Sequence, residues 1–212
     1  VGSEMCIRDR YLTRHGQTEW NLEKRLQGWK DSNLTSKGRE GAELLGERLK
    51  TVDLDIIFSS SSMRAIETSK IITRGRNIEI KPEDDLREIH TGKWEGNTLP
   101  DIEKLYPEEY YAYQNTPHLY KPSTNGGETF FQLQERAISV INKIIDEGKY
   151  QNVLIVTHGV TARIIMAYFE NCPIEKLWET PHIRNTSLSL IEIEGEDIKI
   201  PVYADASHLE GK

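Results

Sequence analysis

The stretch Leu12-Thr13-Arg14-His15-Gly16-Gln17-Thr18-Glu19 is the most informative part of this chain. A short apolar run ends there in an Arg-His-Gly triplet, so the imidazole of His15 is expected where a strand passes into a loop. A second His-Gly pair, His158-Gly159, follows the apolar run at residues 153–157. Open α/β sheets form their sites at the carboxyl ends of strands, so we expect the two histidines to converge.

Hydrophobic periodicity on either side of these two points predicts alternating strands and helices. Strands are predicted at residues 11–14, 55–59, 77–81, 153–157, 187–194 and 198–203, and helices at 36–50, 62–73, 130–148 and 160–169. The strand at 77–81 is expected to stop at Pro82. Residues 99–122, with their tyrosines, acids and four prolines, are predicted to form an inserted helical lid. The alternation indicates an α/β fold with a largely parallel sheet and helices on both faces.

Length, charge and cysteine usage narrow the class of protein. Residues 11–212 are expected to form a single domain with a substantial core. The formal net charge of −7 argues against nucleic acid as the main partner but not against a small phosphorylated metabolite, which meets only a local field. Cys6 and Cys172 form no disulfide framework, which favours a reducing, cytoplasmic setting. The apolar runs are too short to span a bilayer, and the sequence leaves the oligomeric state open.

Residues 1–10 do not match the rest of the chain. They lack the apolar segment of a secretory signal. Arg8, Asp9 and Arg10 also interrupt the pattern expected of a buried central strand. We therefore interpret residues 1–10 as an atypical leader, with the hypothesis that it is foreign to the domain.

The two His-Gly pairs suit phosphoryl transfer through a histidine. A neutral imidazole nitrogen must face phosphorus, and cationic groups must hold the equatorial oxygens as charge spreads over them. His15 is the candidate nucleophile, because Arg14 beside it can bind the phosphate and Gly16 lets the backbone approach it. A lone histidine at a strand end is more often an ordinary polar residue, but the second pair at His158 strengthens the functional interpretation. Guanidinium groups match phosphate oxygens in pairs, so no metal ion is required if arginines supply the positive charge.

Two further charged residues are candidates. Arg64 follows four serines at a predicted strand-to-helix junction, where a helix N-terminus favours anions. The alternative for Arg64 is a surface ion pair with Glu67. Glu88 precedes the turn Thr91-Gly92-Lys93-Trp94-Glu95-Gly96, and by itself it would be taken for a solvated charge.

The chain resembles the histidine phosphatase superfamily, the phosphoglycerate-mutase-like proteins, from about residue 11 to residue 210. The motifs that carry the resemblance are Arg14-His15-Gly16, Asn21, Gln27-Gly28, Leu34-Thr35-Ser36-Lys37-Gly38, residues 59–68 with Arg64, Glu88 with Trp94-Glu95-Gly96, and His158-Gly159. Four segments resemble its broad-specificity bacterial phosphatase branch: Gln27-Gly28-Trp29, Arg87-Glu88-Ile89-His90, Pro117-His118-Leu119-Tyr120 and Ser207-His208.

The resemblance implies a three-layer α/β/α sandwich and a phosphohistidine enzyme without metal or cofactor. It implies that His15 takes the phosphoryl group and that Glu88 first protonates the leaving oxygen and later activates water. The implied phosphate-binding residues are Arg14, Asn21, Gln27, Arg64 and His158.

The choice between phosphatase and mutase depends on the segment after Glu88. Mutases of this family carry an Arg-x-Tyr-Gly stretch there and a longer insertion that excludes water. Residues 89–96 lack that stretch, so hydrolysis of phosphomonoesters is predicted. The resemblance to the broad-specificity branch implies that many esters are accepted. The alternatives are an α-ribazole phosphatase or a phosphoglycerate mutase of the same superfamily, and a non-catalytic phosphate-binding module. The lid tyrosines, at positions 106, 110, 111, 113 and 120, are expected either to line a pocket for the alcohol or to pack the lid onto the sheet.

Overall fold

A central sheet of six strands organises residues 6–211, which are the residues that the computed structural model describes. The strands are β1 (Arg8–Arg14), β2 (Ile56–Ser60), β3 (Ile80–Glu83), β4 (Asn152–Thr157), β5 (Leu188–Glu194) and β6 (Asp197–Asp205). Their order across the sheet is β3-β2-β4-β1-β5-β6. The first four are mutually parallel, whereas β5 runs antiparallel to β1 and β6 antiparallel to β5. The prediction of a mostly parallel sheet is confirmed.

Helices cover both faces of this sheet. They are α1 (Glu19–Leu22), α2 (Ser36–Leu49), α3 (Met63–Ile72), α4 (Leu99–Leu105), α5 (Pro107–Asn115), α6 (Phe130–Glu147) and α7 (Gly159–Phe169). Short 3-10 segments lie at Asp84–Leu86, Gly92–Trp94, Pro117–Leu119, Ile174–Glu179 and Ser207–Leu209. The side chains of α2 and α3 pack on one face of the sheet, and those of α6 and α7 pack on the other. The result is the three-layer α/β/α sandwich that the resemblance implied. None of the helices in the described residues is long and apolar enough to cross a membrane.

The longest helix shows how the sequence sets these boundaries. At the start of α6, Thr129 accepts from the backbone N–H of Gln132, whose side chain in turn accepts from the backbone of Thr129. Leu133, Ala137 and Ile141 recur at helical spacing and are buried against the sheet and the lid. The helix ends before Gly148, whose φ is +59°.

The strand predicted at 77–81 lies further along the chain than expected. β3 spans Ile80–Glu83 and continues through Pro82, at which the sequence predicted it would stop. β3 is an edge strand, paired only with β2. Proline is tolerated at a sheet edge because its missing N–H can face away from the neighbouring strand.

The start of the chain also differs from expectation. β1 begins at Arg8, so the polar residues Arg8, Asp9 and Arg10 belong to the central strand, pairing with β4 and β5. Arg10 is 1% exposed, and its guanidinium donates to the carbonyls of Asp9, Tyr150 and Gln151 at 3.0–3.2 Å. Backbone hydrogen bonds therefore place residues 8–10 in the central strand, although their polar side chains predict otherwise. The remainder of the proposed leader, residues 1–5, lies outside the described residues.

The predicted lid is helical and is packed onto the body. It comprises α4, α5 and the 3-10 segment Pro117–Leu119. Tyr113 and Tyr120 are buried in one aromatic cluster with Trp94 and Phe130. Tyr106 and Tyr110 are half-buried against the same cluster, and Tyr111 is exposed. Packing rather than substrate contact thus occupies most of the lid tyrosines.

Candidate active site

The two histidines lie side by side at the carboxyl edge of the sheet. β1 and β4 pair in parallel with Arg14 opposite Thr157, so His15 and His158 leave the sheet at the same level. Their ring centroids are 5.1 Å apart, and the two residues are 2% and 0% exposed. The strand order thus produces a pair of buried imidazoles from residues far apart in sequence.

His15 is held as a neutral ring with one nitrogen available. Its Nδ1 lies 2.7 Å from the carbonyl oxygen of Gly16, and a carbonyl only accepts, so Nδ1 carries the hydrogen. Nε2 therefore bears the lone pair. Burial lowers the pKa of His15 well below its ordinary value, and the charges of Arg64 and Arg14 lower it further. These contacts present an unprotonated Nε2, the form that a nucleophilic imidazole requires.

Arg64 is a buried cation beside that nitrogen. It is 1% exposed, and its Nε lies 3.4 Å from Nε2 of His15. The rest of its guanidinium donates to the carbonyls of Lys30 at 2.6 Å and Gly28 at 2.9 Å, and to a carboxylate oxygen of Asp31 at 2.8 Å. Its position near the start of α3 agrees with the sequence prediction, and its ion pair is with Asp31 rather than with Glu67.

Asp31 is a functional candidate that the sequence did not indicate. Besides pairing with Arg64, its carboxylate accepts from the backbone N–H groups of Met63 at 2.7 Å and Arg64 at 3.3 Å. It thereby supplies the cap that the N-cap residue Ser62 does not provide. Because the capping residue lies about thirty positions before the helix, local capping patterns could not reveal it.

Arg14 packs against the second His-Gly pair. Its Nη1 donates to the carbonyl of Ile183 at 3.1 Å, and its Nε is buried without a partner among the described residues. A Cβ at position 159 would lie 3.3 Å from the Arg14 Cζ, tighter than most such contacts, so Gly159 allows this close approach. Burial lowers the pKa of Arg14, while the charge of Glu88 opposes that change.

His158 contacts the serine run that precedes Arg64. Its Nε2 lies 2.7 Å from Oγ of Ser60, whereas its Nδ1 is buried without a hydrogen-bond partner in residues 6–211. Burial lowers the pKa of His158 well below its usual range, and Arg64 and His15 contribute in the same direction. Ser60 ends β2, next to β4, which explains why it reaches His158.

Glu88 lies at the N-terminus of α7, opposite these cations. One carboxylate oxygen accepts from the N–H of Val160 at 3.0 Å. The other accepts from the N–H groups of Ile89 and Thr161, at 2.9 and 3.1 Å, and from the Thr161 hydroxyl at 3.0 Å. The helix dipole favours a carboxylate in this position. Glu88 lines the same cavity as His15.

Asn21 and Gln27, which the resemblance implies as hydrogen-bond donors to phosphate, both line this cavity. They differ in the hydrogen bonds that their side chains already make. The Oδ1 of Asn21 accepts from the N–H of Thr18 at 3.0 Å, which leaves the Nδ2 group without an acceptor among the described residues. Gln27 is buried, and its amide donates to the Thr18 hydroxyl and accepts from the Ser32 hydroxyl, both at 2.8 Å. The Gln27 side chain therefore stabilises the loop and has one N–H group left to donate to a ligand.

Asn185, which sequence analysis missed, stabilises the loop that carries His15. Nδ2 of Asn185 donates to the carbonyl of His15 at 2.9 Å and lies 3.4 Å from Oδ1 of Asn21. It lies just before β5, antiparallel to β1, so this contact depends on chain reversal rather than on any local motif.

Six of these residues line a cavity of about 210 Å³ whose charge is predominantly positive: Arg14, His15, Asn21, Gln27, Arg64 and Glu88. His158, Asp31 and Asn185 do not line it. Four arginines, Arg14, Arg25, Arg64 and Arg163, line it together with a single carboxylate, Glu88. In residues 6–211 no three His, Cys, Asp or Glu side chains are grouped so that they could hold a metal ion. Such a cavity suits a small ligand with several negative charges.

Comparisons with known proteins show what the chain as a whole is similar to. The family model described as "Histidine phosphatase superfamily (branch 1)" matches residues 10–206. The chain is 34% identical to phosphoglycerate mutase-like protein 4 of Arabidopsis thaliana, over 94% of this chain and 86% of that protein. It is 32% identical to the uncharacterized phosphatase PhoE of Bacillus subtilis, over 94% of this chain and 96% of that protein. Among solved structures, Bacillus stearothermophilus YhfR superimposes with a TM-score of 0.92 at 44% identity, covering 96% of this chain and all of that one.

Proposed function

Since the chain belongs to the histidine phosphatase superfamily, which includes phosphatases and mutase-like proteins, we propose that it hydrolyses phosphomonoesters without a metal ion, through a phosphohistidine on His15. The observation that carries the proposal is the hydrogen bond from Nδ1 of His15 to Gly16, because it leaves the lone pair on Nε2 beside Arg64.

The first half-reaction transfers the phosphoryl group to the enzyme. Nε2 of His15 attacks phosphorus, a P–N bond forms, and the P–O bond to the alcohol breaks. Arg14, Arg64 and His158 hold the equatorial oxygens as charge spreads over them, with Asn21 and Gln27 as additional donors. The negative charge of the bound phosphate favours the protonated form of Glu88, against the helix dipole, and Glu88 then gives its proton to the departing alkoxide.

The second half-reaction returns the enzyme to its starting state. Glu88, now ionised, removes a proton from water as that water attacks phosphorus. The P–N bond breaks, inorganic phosphate leaves, and the carboxyl group of Glu88 is again protonated. Residues 89–96 lack the stretch found in mutases of the family, which favours access of water and therefore hydrolysis.

Broad specificity is part of the proposal. Beyond the phosphate site, the cavity wall consists largely of apolar and aromatic side chains: Leu26, Ile89, Tyr113, Val160, Trp178 and Ile183. Such a wall contacts many alcohols but makes few directional hydrogen bonds that would reject one of them.

The decisive experiment measures phosphate release in excess EDTA from a panel of monoesters that includes p-nitrophenyl phosphate and 3-phosphoglycerate. The unmodified chain should release phosphate from several esters, and His15→Ala should release none. His118→Ala, which changes a histidine outside the cavity, is the matched control and should retain activity. A phosphorylated protein trapped under alkaline conditions should be absent from His15→Ala. Release that persists in His15→Ala, or requires a metal ion, would refute the proposal.

A further inference from the structure

His208 is a half-buried imidazole that the phosphoryl-transfer scheme does not use. It lies in the 3-10 segment Ser207–Leu209, which follows β6. Its Nε2 lies 2.7 Å from the carbonyl oxygen of Thr186, and a carbonyl only accepts, so Nε2 carries the hydrogen. Its Nδ1 lies 3.0 Å from Nη1 of Arg48, and a guanidinium only donates, so Nδ1 carries the lone pair. These two partners fix the orientation of the ring and its neutral form.

Arg48 contacts the ring from α2 and also binds the end of β6. Its Nη1 pairs with a carboxylate oxygen of Asp205 at 2.5 Å, and the Ser207 hydroxyl donates to the same oxygen at 2.7 Å. Burial lowers the pKa of His208, which favours the neutral ring. Helix α2, strand β6 and the 3-10 segment therefore meet at His208.

Thr186 connects His208 to the loop that carries the nucleophile. It is 2% exposed, and its N–H donates to the carbonyl of Arg14 at 2.9 Å. Its neighbour Asn185 donates to the carbonyl of His15 at 2.9 Å. Two consecutive residues that line the cavity are thus held through their backbone by residues 185 and 186. The carbonyl of Thr186 is the group that His208 binds.

Thr186 has a backbone conformation that requires support from its surroundings. Its φ is +55°, in the left-handed region that β-branched residues rarely adopt. Gly41 of α2 packs closely against it, because a Cβ at position 41 would lie 2.6 Å from the Thr186 Oγ1. A residue in such a conformation persists only when the surrounding structure holds it there. The hydrogen bond from His208 is part of that support.

We propose that His208 is a positioning residue for the nucleophile: its neutral imidazole holds Thr186, which in turn holds the backbone of Arg14 and His15 for in-line attack on phosphorus. The role rests on the proposed hydrolase function and extends it to a side chain that does not line the cavity. In-line attack tolerates little displacement of the attacking nitrogen, and a shift of about 1 Å costs about a hundredfold in rate.

The phosphate site itself depends on other contacts. Arg64 is oriented by the loop at residues 28–31, which makes no hydrogen bond to Thr186 or His208 in residues 6–211. Loss of the contact between His208 and Thr186 should therefore slow the chemical step and leave binding of the phosphate group nearly unchanged.

Two amide substitutions separate the two contacts of the ring. In His208→Gln the amide lies about as far along the side chain as Nε2, so its NH2 group can still donate to Thr186. In His208→Asn the amide lies about where Nδ1 was, so its oxygen can still accept from Arg48, while Thr186 loses its donor. For p-nitrophenyl phosphate we expect His208→Gln to retain kcat within about threefold and His208→Asn to lose about ten- to a hundredfold. KM should change by less than about threefold in both.

Ser207→Ala is the matched control for these variants. It removes a hydroxyl from the same 3-10 segment, and that hydroxyl binds Asp205 rather than Thr186 or Arg48. Both kcat and KM should stay unchanged. Unchanged kcat in His208→Asn, or a His208→Gln variant that is as slow as His208→Asn, would overturn the assignment.

The binding of two anions distinguishes a displaced nucleophile from general damage to the site. Orthovanadate can take the His15 nitrogen as a fifth ligand and so resembles the transition state, whereas inorganic phosphate stays tetrahedral. In calorimetric titrations the Kd of vanadate should rise in His208→Asn by about the factor by which kcat falls, and the Kd of phosphate should not change. Equal weakening of both ions would indicate a merely structural residue and refute the proposal.

Arg48→Met covers the case in which His208→Asn does not fold. It leaves His208 in place but removes the donor to Nδ1, so one contact alone orients the ring, and kcat should fall by about threefold or more. Unchanged kcat in this variant would then refute the positioning role and leave the hydrolase intact. If the unmodified chain hydrolyses no ester at all, the hydrolase proposal fails and the positioning role fails with it.

Discussion

His15 and His158 engage opposite ring nitrogens, although their rings are adjacent. In His15 the Nδ1 donates to the Gly16 carbonyl and Nε2 has only the 3.4 Å contact with Nε of Arg64, whereas in His158 the Nε2 contacts Ser60 and Nδ1 lacks a partner in the described chain. One short contact therefore fixes the orientation of each ring. Both are buried, and both have lowered pKa values. The folded protein thus excludes protons from a pair of groups that take them up readily in the unfolded chain.

Because folding lowers the pKa of both histidines, we predict that the protein is less stable in acid. Because the folded pKa values of His15 and His158 lie below the unfolded value of about 6.5, the unfolded chain binds more protons below that pH. The free energy of unfolding should therefore decrease as pH falls below about 6.5, by at most about 1.4 kcal/mol per pH unit for each histidine. Urea unfolding at pH 7.5 and 5.5 measures the effect. The double variant His15→Gln/His158→Gln should show a shallower dependence, and an equally steep one would contradict the prediction.

Asp31 is predicted to orient Arg64 towards His15. Asp31→Asn removes the charge that pairs with buried Arg64 but keeps an acceptor for the start of α3. Because Arg64 would then be less firmly oriented towards His15, kcat should fall by about ten- to a hundredfold with a smaller change in KM, as expected for about 1.5–3 kcal/mol. Steady-state kinetics on p-nitrophenyl phosphate measures the split.

A surface control separates this role from general destabilisation. Asp53→Asn changes an exposed aspartate far from any catalytic contact described above and should leave both constants unchanged. If Asp31→Asn alters only thermal stability, Asp31 is a structural residue and not a positioning residue.

Strand β1 pairs with two neighbouring strands, although it has polar side chains that are unusual in a central strand. Six of its residues pair with β4, and six pair with β5. Asp9 nevertheless lies opposite Glu192, and its Oδ1 is buried without a partner among the described residues. Burial raises the pKa of Asp9, and Glu192 raises it further. The strand therefore contains an unfavourable charge at the position where a central strand normally has an apolar residue.

Asp9→Val should stabilise the protein. The change removes an unsatisfied carboxylate oxygen and a like-charge pair, and we expect a gain of about 1 kcal/mol in the free energy of unfolding at pH 7. Because the folded pKa of Asp9 is raised, the native carboxyl becomes neutral as pH falls, and the gain should shrink through that range. Urea unfolding of Asp9→Val and Asp9→Asn measures both effects. Lower stability of Asp9→Val at pH 7 would contradict the prediction, and with it the hypothesis of a foreign leader.

The elements also show what the sequence could and could not predict. Residues that follow a strand directly, such as His15 and His158, were predictable because the end of an apolar run is visible locally. Ser60, Asp31 and Asn185 contact the site through strand order and loop crossings, which leave no periodic signal. β3 was misplaced because its edge position, which tolerates Pro82, depends on the order of strands in the sheet.

The aromatic cluster joins the lid to the body of the protein. It combines Tyr113 and Tyr120 of the lid with Phe130 of α6 and with Trp178, which follows α7. The lid therefore shares its core with the helices of one face instead of having a core of its own. Elements that share buried surface are expected to unfold together.

Tyr120→Ala tests this coupling. Removing a buried ring should lower the free energy of unfolding by about 3–5 kcal/mol, and the loss of its hydroxyl also removes a 2.7 Å hydrogen bond from Asn125. Tryptophan fluorescence, which reports on all four tryptophans and among them on Trp94 and Trp178 of the cluster, and far-UV circular dichroism should shift to the same lower urea midpoint. If fluorescence shifts alone, the lid unfolds independently, and the coupling is wrong.

Strand β1 separates the active site from one end of the described chain. Its seven residues span about 20 Å at about 3.3 Å per residue. Cys6, an exposed free thiol, lies just before one end of the strand, and His15 follows the other. The second thiol, Cys172, is less exposed, and burial raises its pKa, which lowers its reactivity. A maleimide-coated bead or electrode would thus couple through Cys6 and hold the molecule with its cleft facing the solution.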